Sequence, residues 1–108
     1  SYIKNNIEYK DFESIGASEL DGPETLKELF LEAESPKEFI FLMYILMYEI
    51  QDEKFIIGMA LKLVKHDTLS LIQHIGSYGI KNQKILFDID LIAARYSGEC
   101  ALKYIKKY

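Results

Sequence analysis

The chain has 108 residues, the usual size of one domain, and we expect residues 1–108 to share a single core. Its composition, with 49% apolar and 28% charged residues, excludes an intrinsically disordered chain. The single cysteine, Cys100, excludes an internal disulfide, and the longest apolar run, residues 39–48, is far shorter than the roughly twenty residues of a membrane-spanning helix. The sequence therefore predicts a folded cytoplasmic protein that does not contact a membrane.

Residues 1–20 are compatible with two kinds of secondary structure. Ile3, Ile7 and Ser14 would share one face of a helix, whereas Ile7 and Tyr9 alternate as the residues of a strand do. The structure of this N-terminal segment is therefore left open.

The first two predicted helices begin with proline signals. Residues 22–24, Gly-Pro-Glu, place proline at a first helical position and an acid at the positive end of the helix dipole. Residues 35–38, Ser-Pro-Lys-Glu, have the arrangement of a capping box and predict a helix from Pro36 to about Ile50. Because this second helix is apolar nearly all round, we expect it to be central and covered on most sides. The apolar face of the first helix holds Leu26, Leu29, Phe30 and Ala33.

Aspartate caps predict the next two helices. Asp52 is suited to open a helix that runs to about Lys65, and Asp67 a shorter one that ends near Gly76. The residues expected to be buried are Ile56, Met59, Ala60, Leu63 and Val64 in the third helix and Leu71, Ile72 and Ile75 in the fourth.

The remaining chain is predicted to contain a loop and two more helices. Residues 77–81 form the loop, Asn82 caps the helix after it, and a final helix follows a break at residues 97–98. The face of the helix after Asn82 that we expect to be buried holds Ile85, Leu86, Ile89, Ile92, Ala93 and Tyr96. Together the segments predict an all-α fold, a compact stack or bundle of five to seven short helices.

An internal repeat is one interpretation of the helical pattern. Shifting the sequence by 41 residues places residues 45–50 on 86–91 and residues 60–65 on 101–106, with the apolar pattern preserved. A period near 40 to 47 residues is typical of the helical pairs of HEAT and armadillo repeats. The alternative is two amphipathic hairpins that look alike because both must pack.

The sequence offers no constellation for catalysis. His66 and His74 lack the spacing that sets two ligands on one metal ion, and a lone cysteine such as Cys100 is more often a packing residue than a reactive one. Asp88 and Asp90 are two residues apart and point to different helix faces. There is also no glycine-rich phosphate loop or nucleophile elbow. We therefore predict that the protein is not an enzyme and holds no metal and no cofactor.

Charge is distributed unevenly along the chain. Residues 1–53 carry thirteen acids and four bases, whereas residues 54–108 carry four acids and nine bases. An acidic surface attracts cationic proteins and speeds their encounter, although it can also be a merely solvated face. The net charge of −4 disfavours nucleic-acid binding. We interpret the basic end of the chain, Lys103, Lys106 and Lys107, as a complement to a helix dipole.

A small, acidic, helical chain that is rich in Ile, Lys, Tyr and Glu and has no Trp resembles bacterial immunity proteins, above all those of contact-dependent growth inhibition systems. The resemblance implies a cytoplasmic protein that binds the toxin domain of a cognate effector, often a cationic nuclease, and blocks its active site. A polyanionic surface would then occupy a cleft built for phosphate. The partner-binding residues expected on this basis are Asp11, Glu13, Glu19, Asp21, Glu24, Glu28 and Glu32.

Three alternatives stay open at this point. A HEAT-like adaptor or regulatory subunit would bind a protein partner without neutralising a toxin. A polarised chain could also self-associate, acidic end to basic end, in a contact that need not close into a ring. A DNA-associated regulator is the third.

Overall fold

The computed structural model of the protein describes residues 22–97. Several predictions therefore lie outside the described residues: those for residues 1–20, for the last helix, for Cys100 and for the lysines near the end of the chain. The same is true of four of the predicted partner-binding residues, Asp11, Glu13, Glu19 and Asp21.

The described residues confirm the all-α fold class, since they form helices and no strand occurs among them. The α-helices are α1 (Gly22–Glu32), α2 (Glu38–Met47), α3 (Glu53–His66), α4 (Thr68–His74) and α5 (Gln83–Ser97), and a 3₁₀ helix (Ile75–Tyr78) directly follows α4. The chain divides into two compact units, which we call unit 1 (residues 1–50) and unit 2 (residues 51–108). The expectation of one core over the whole chain stays a prediction.

In unit 1, α1 and α2 pack through a cluster of aromatic rings. The ring of Phe30 lies 5.1 Å from those of both Phe41 and Tyr44, measured between centroids, and meets Phe41 edge to face. The Tyr44 hydroxyl donates a hydrogen bond to the Pro23 carbonyl oxygen at 2.8 Å, which ties the middle of α2 to the start of α1. Of the four residues predicted on the buried face, Leu26, Phe30 and Ala33 are fully buried and Leu29 is half-buried.

The predicted capping box at the start of α2 is wrong. The helix begins at Glu38, two residues after Pro36, and Lys37 occupies the N-cap position with no side-chain capping bond. Pro36 and Glu38 are both buried, and Glu38 interacts with another residue.

The end of α2 also differs from the expected boundary near Ile50. The backbone turns left-handed at Glu49, where φ is 52°, and the Ile50 N–H donates to the Ile45 carbonyl oxygen at 3.0 Å. This six-to-one bond is the mark of a Schellman-type C-cap, in which glycine is the usual left-handed residue. The helix therefore ends at Met47 because the backbone folds over its last carbonyls.

Unit 2 follows the predicted helices closely. The Asp52 carboxylate accepts a hydrogen bond from the Phe55 N–H at 3.3 Å, and the Asn82 side chain accepts one from the Ile85 N–H at 3.2 Å, so both predicted caps are confirmed. Helix α3 packs on α4 and α5, and α4 packs on α5. The predicted buried residues are found buried, namely Ile56, Met59, Ala60, Leu63 and Val64 in α3 and Leu71, Ile72 and Ile75 after it.

Three details of unit 2 depart from the predictions. Asp67 precedes α4 but makes no capping bond, and Thr68 instead donates its hydroxyl to the Val64 carbonyl oxygen at 2.6 Å. Tyr78 belongs to the 3₁₀ helix and is buried, so the loop begins only at Gly79, which has a φ of 74°. Tyr96 is 56% exposed and does not join the buried face of α5.

The described helices do not repeat with a period of 41 residues. The turn between α2 and α3, residues 48–52, would fall on residues 89–93, which lie in the middle of α5. All amphipathic helices share the same apolar period, so that period alone aligns them, whereas the positions of their ends do not match. The second half of the proposed match, residues 101–106, lies outside the described residues.

Candidate interaction surfaces

Helix α1 carries three exposed carboxylates, which we call the acidic stripe: Glu24, Glu28 and Glu32. They are four residues apart and therefore lie on one side of the helix, one turn above another. The buried residues Leu26 and Phe30 occupy the opposite side. The described part of the predicted partner-binding set is thus brought together on one exposed face.

The charge of the acidic stripe is only partly balanced within α1. Glu24 lies in the first turn, where the helix dipole favours an acid. Neighbouring carboxylates of the stripe are four residues apart and repel one another by a few tenths of a kcal/mol. The single base of the helix, Lys27, is half-buried beside the stripe. Both Lys27 and Glu32 interact with other residues, so Glu24 and Glu28 are the carboxylates on which an interface argument rests.

The outward side of α2 is apolar, and the prediction that this helix is covered on most sides is wrong. We call its five side chains the α2 outer face: Phe39, Leu42, Met43, Leu46 and Met47. Phe39, Leu46 and Met47 are each about 60% exposed, and the other two are half-buried. If each of these three exposed side chains has a total area of roughly 150–200 Å², together they present on the order of 300 Å² of apolar surface to solvent. Apolar patches of about this size on monomeric proteins often have a function.

Sequence reasoning missed the α2 outer face, although a signal was present. Every residue of α2 after the buried Glu38 is apolar. A helix that is apolar on all sides is either enclosed by its own fold or presents a face to something else. Periodicity cannot distinguish the two cases because no polar residue marks an outer side.

Asp90 is a second feature that the sequence did not predict. It is 2% exposed and lies on α5 next to the core, whereas Asp88 is half-buried, so the two carboxylates do point to different faces. Burial raises the pKa of Asp90 from 3.8 to about 6, because a carboxylate loses its hydration in a low-dielectric environment. Burial also lowers the pKa of Lys62 on α3.

No metal-binding cluster occurs within residues 22–97, where no three His, Cys, Asp or Glu side chains lie together as ligands would. His66 is exposed and His74 half-buried. Among the helices of the same residues, none has the length and apolar content to cross a membrane.

Unit 2 contains a cleft of about 380 Å³ between the start of α3 and the connection to α5. The cleft is lined by Gln51, Glu53, Ile56, Tyr78, Gly79, Ile80 and Lys81.

The chain was also compared with known proteins. No family model, curated protein or solved structure matches it. Among the described residues, the two outward surfaces of unit 1 are the features that bear on function.

Proposed function

We propose that the chain is an immunity-type protein that binds a cognate toxin domain in the cytoplasm and neutralises it. The observation that carries the proposal is the acidic stripe, in which Glu24 and Glu28 are exposed on the side of α1 opposite its buried face. The partner class comes from the resemblance to immunity proteins of contact-dependent growth inhibition systems, whose toxins are often nucleases. The chain itself makes and breaks no covalent bond in this proposal.

The mechanism is electrostatic occupation of the toxin's active site. A nuclease presents a positive cleft to the phosphates of its substrate, and such a cleft favours any surface with regularly spaced negative charges. Carboxylates one helical turn apart, about 6 Å between their Cβ atoms, provide such a row on a rigid support. The bound helix then excludes the nucleic acid from the cleft.

The direct test asks whether the chain co-purifies with a small basic protein encoded next to it and whether it inhibits that protein. We expect the chain to form a complex with its toxin domain and to abolish cleavage of nucleic acid. Raising the salt concentration should slow association, because screening weakens the attraction between opposite surfaces. A complex that forms while cleavage continues would indicate an adaptor instead, and no complex at all would contradict the proposal.

The residues are tested by matched charge reversals. Glu24→Lys should weaken binding about tenfold, and Glu24→Lys combined with Glu28→Lys about a hundredfold, as expected for charges in an electrostatic interface. Glu53→Lys is the control, because Glu53 is also an exposed first-turn glutamate but lies on α3. Equal losses for Glu24→Lys and Glu53→Lys would mean that net charge, rather than the acidic stripe, governs binding.

A further inference from the structure

The cleft of unit 2 combines two kinds of lining that the proposed function does not use. Its floor is apolar, because Ile56, Tyr78 and Ile80 are all more than nine-tenths buried. Its rim is polar and exposed, and it carries the carboxylate of Glu53 and the ammonium group of Lys81. A volume of about 380 Å³ lies within the range of small-molecule sites, which combine an apolar lining with a few polar groups.

The two rim charges come from different segments of unit 2. Glu53 is the first residue of α3, and Lys81 lies in the connection between the 3₁₀ helix and α5. Among residues 22–97 these two side chains form no ion pair with each other. Gly79 lies between them on the rim, and no heavy atom lies within 4 Å of a Cβ built on it. The cleft is therefore open between an acid and a base.

We propose that this cleft binds a small zwitterion with an apolar side chain, the chemistry of an apolar α-amino acid or of a short apolar peptide. The ligand's ammonium group donates to the Glu53 carboxylate, and its own carboxylate accepts from the Lys81 ammonium group. The apolar side chain of the ligand packs on the floor and removes it from water.

Charge complementarity separates this ligand from other classes. A phosphate-bearing ligand fits poorly, because Lys81 is the single base among the residues that line the cleft and Glu53 repels an anion. A wholly apolar ligand would cover both rim charges without supplying a partner for either, which costs free energy. A ligand that carries both signs satisfies the acid and the base together.

The position of the charges sets the expected strength. Ionic contacts at an exposed rim contribute little each, so the buried floor has to supply part of the attraction. We therefore expect weak, reversible binding, with a dissociation constant on the order of 1 mM. Loss of one ionic contact should raise the dissociation constant about fivefold.

Titration of the isotope-labelled full chain, followed by two-dimensional NMR, tests the site. Leucine and leucyl-leucine carry both charges, whereas leucinamide keeps only the ammonium group and N-acetylleucine only the carboxylate. We expect a zwitterion to shift the amide signals of Gly79, Ile80 and Lys81. Each one-charge probe should bind about fivefold more weakly than leucine. Because the dipeptide holds its charges farther apart, the tighter of the two zwitterions identifies the spacing that the rim prefers.

The two rim residues are tested by neutral substitutions with opposite expectations. Glu53→Gln should weaken leucine and leucinamide about fivefold and leave N-acetylleucine unchanged, and Lys81→Gln should weaken leucine and N-acetylleucine and leave leucinamide unchanged. The matched controls are Glu34→Gln and Lys84→Gln, because both residues are exposed and neither lines the cleft. Exposed substitutions cost little stability, and the NMR spectrum of each variant shows whether it is folded.

Several outcomes would overturn the site. They are an unchanged spectrum with either zwitterion at about 20 mM, well above the expected dissociation constant, and shifts confined to residues outside the cleft. Equal binding of leucine, leucinamide and N-acetylleucine, or equal losses for Glu53→Gln and Glu34→Gln, would also overturn it. None of these measurements involves the toxin domain, so this site and the proposed function fail independently.

Discussion

The outward sides of α1 and α2 differ in chemistry although both helices bury their inner sides in one aromatic cluster. On α1 the outer side carries Glu24 and Glu28, which water solvates well. On α2 it carries Phe39 and Leu46, which leave apolar surface in water. Burial of the inner sides alone therefore satisfies the packing of these two helices, and it leaves the chemistry of their outer sides unconstrained.

The contrast between the two sides of α2 is sharpest at two phenylalanines that are two residues apart. Phe41 is fully buried, whereas Phe39 is 60% exposed. Phe41→Ala should lower the free energy of unfolding by about 3–5 kcal/mol, because it leaves a cavity in the core. Phe39→Ala should lower it by less than about 1 kcal/mol. Urea denaturation at a concentration where the chain is monomeric measures both, and similar losses would show that the outer face is covered.

The two units can be compared through their buried acids. Glu38 in unit 1 is buried and interacts with another residue, whereas burial raises the pKa of Asp90 in unit 2 to about 6. A carboxyl group whose pKa is higher in the folded than in the unfolded state favours folding while it is protonated. Its contribution to the free energy of unfolding is therefore largest at low pH and is lost as the pH rises from about 4 to about 6.

Asp90→Asn removes that titration. Relative to the unmodified chain, the variant should gain about 2 kcal/mol in free energy of unfolding between pH 4 and pH 8. Denaturant unfolding at both pH values measures the gain. A stability difference that is the same at pH 4 and pH 8 would contradict the burial of an ionisable carboxylate at this position.

Within residues 22–97, each unit contains one left-handed residue, and substitutions at these two residues should change stability in opposite directions. Glu49 adopts a φ of 52° at the end of α2, and Gly79 a φ of 74° after the 3₁₀ helix. Glu49→Gly should raise the free energy of unfolding by about 0.5–1 kcal/mol, and Gly79→Ala should lower it by about 1 kcal/mol. No heavy atom lies within 4 Å of a Cβ added at Gly79, so only the backbone conformation is tested there. Thermal unfolding that changes in the same direction for both would contradict this account.

The smallest expected change in stability belongs to the acidic stripe. Glu24→Lys combined with Glu28→Lys should alter the free energy of unfolding by less than about 1 kcal/mol, since both side chains are exposed. Chemical denaturation measures this directly. A larger loss would mean that the stripe supports the fold of unit 1, and weaker partner binding could then no longer be assigned to the surface.

The sequence predicts much of the fold because local signals agree with the packing. Asp52 and Asn82 cap helices as their positions indicate, and α1 and α3 bury the stripes that their periodicity marks. The exposed position of Glu24 and Glu28 follows from the same periodicity. These are features that a few neighbouring residues decide.

Other features depend on contacts that no local signal specifies. The burial of Pro36 and Glu38 replaces a capping box, and the burial of Asp90 places a carboxylate where periodicity gives no warning. The α2 outer face is the clearest case, because an apolar sequence does not reveal which of its sides is exposed. The apparent 41-residue repeat is a pattern in the sequence to which no structural repeat corresponds among the described residues. Shared periodicity aligns the helices, but their ends do not match.

Binding of a basic toxin domain by the acidic stripe is measured by sedimentation velocity of a mixture of the two proteins. The unmodified chain and Glu53→Lys should sediment as a complex with the toxin domain, and the variant with Glu24→Lys and Glu28→Lys should sediment separately from it. Equal binding by all three chains would show that the acidic stripe is not the binding surface.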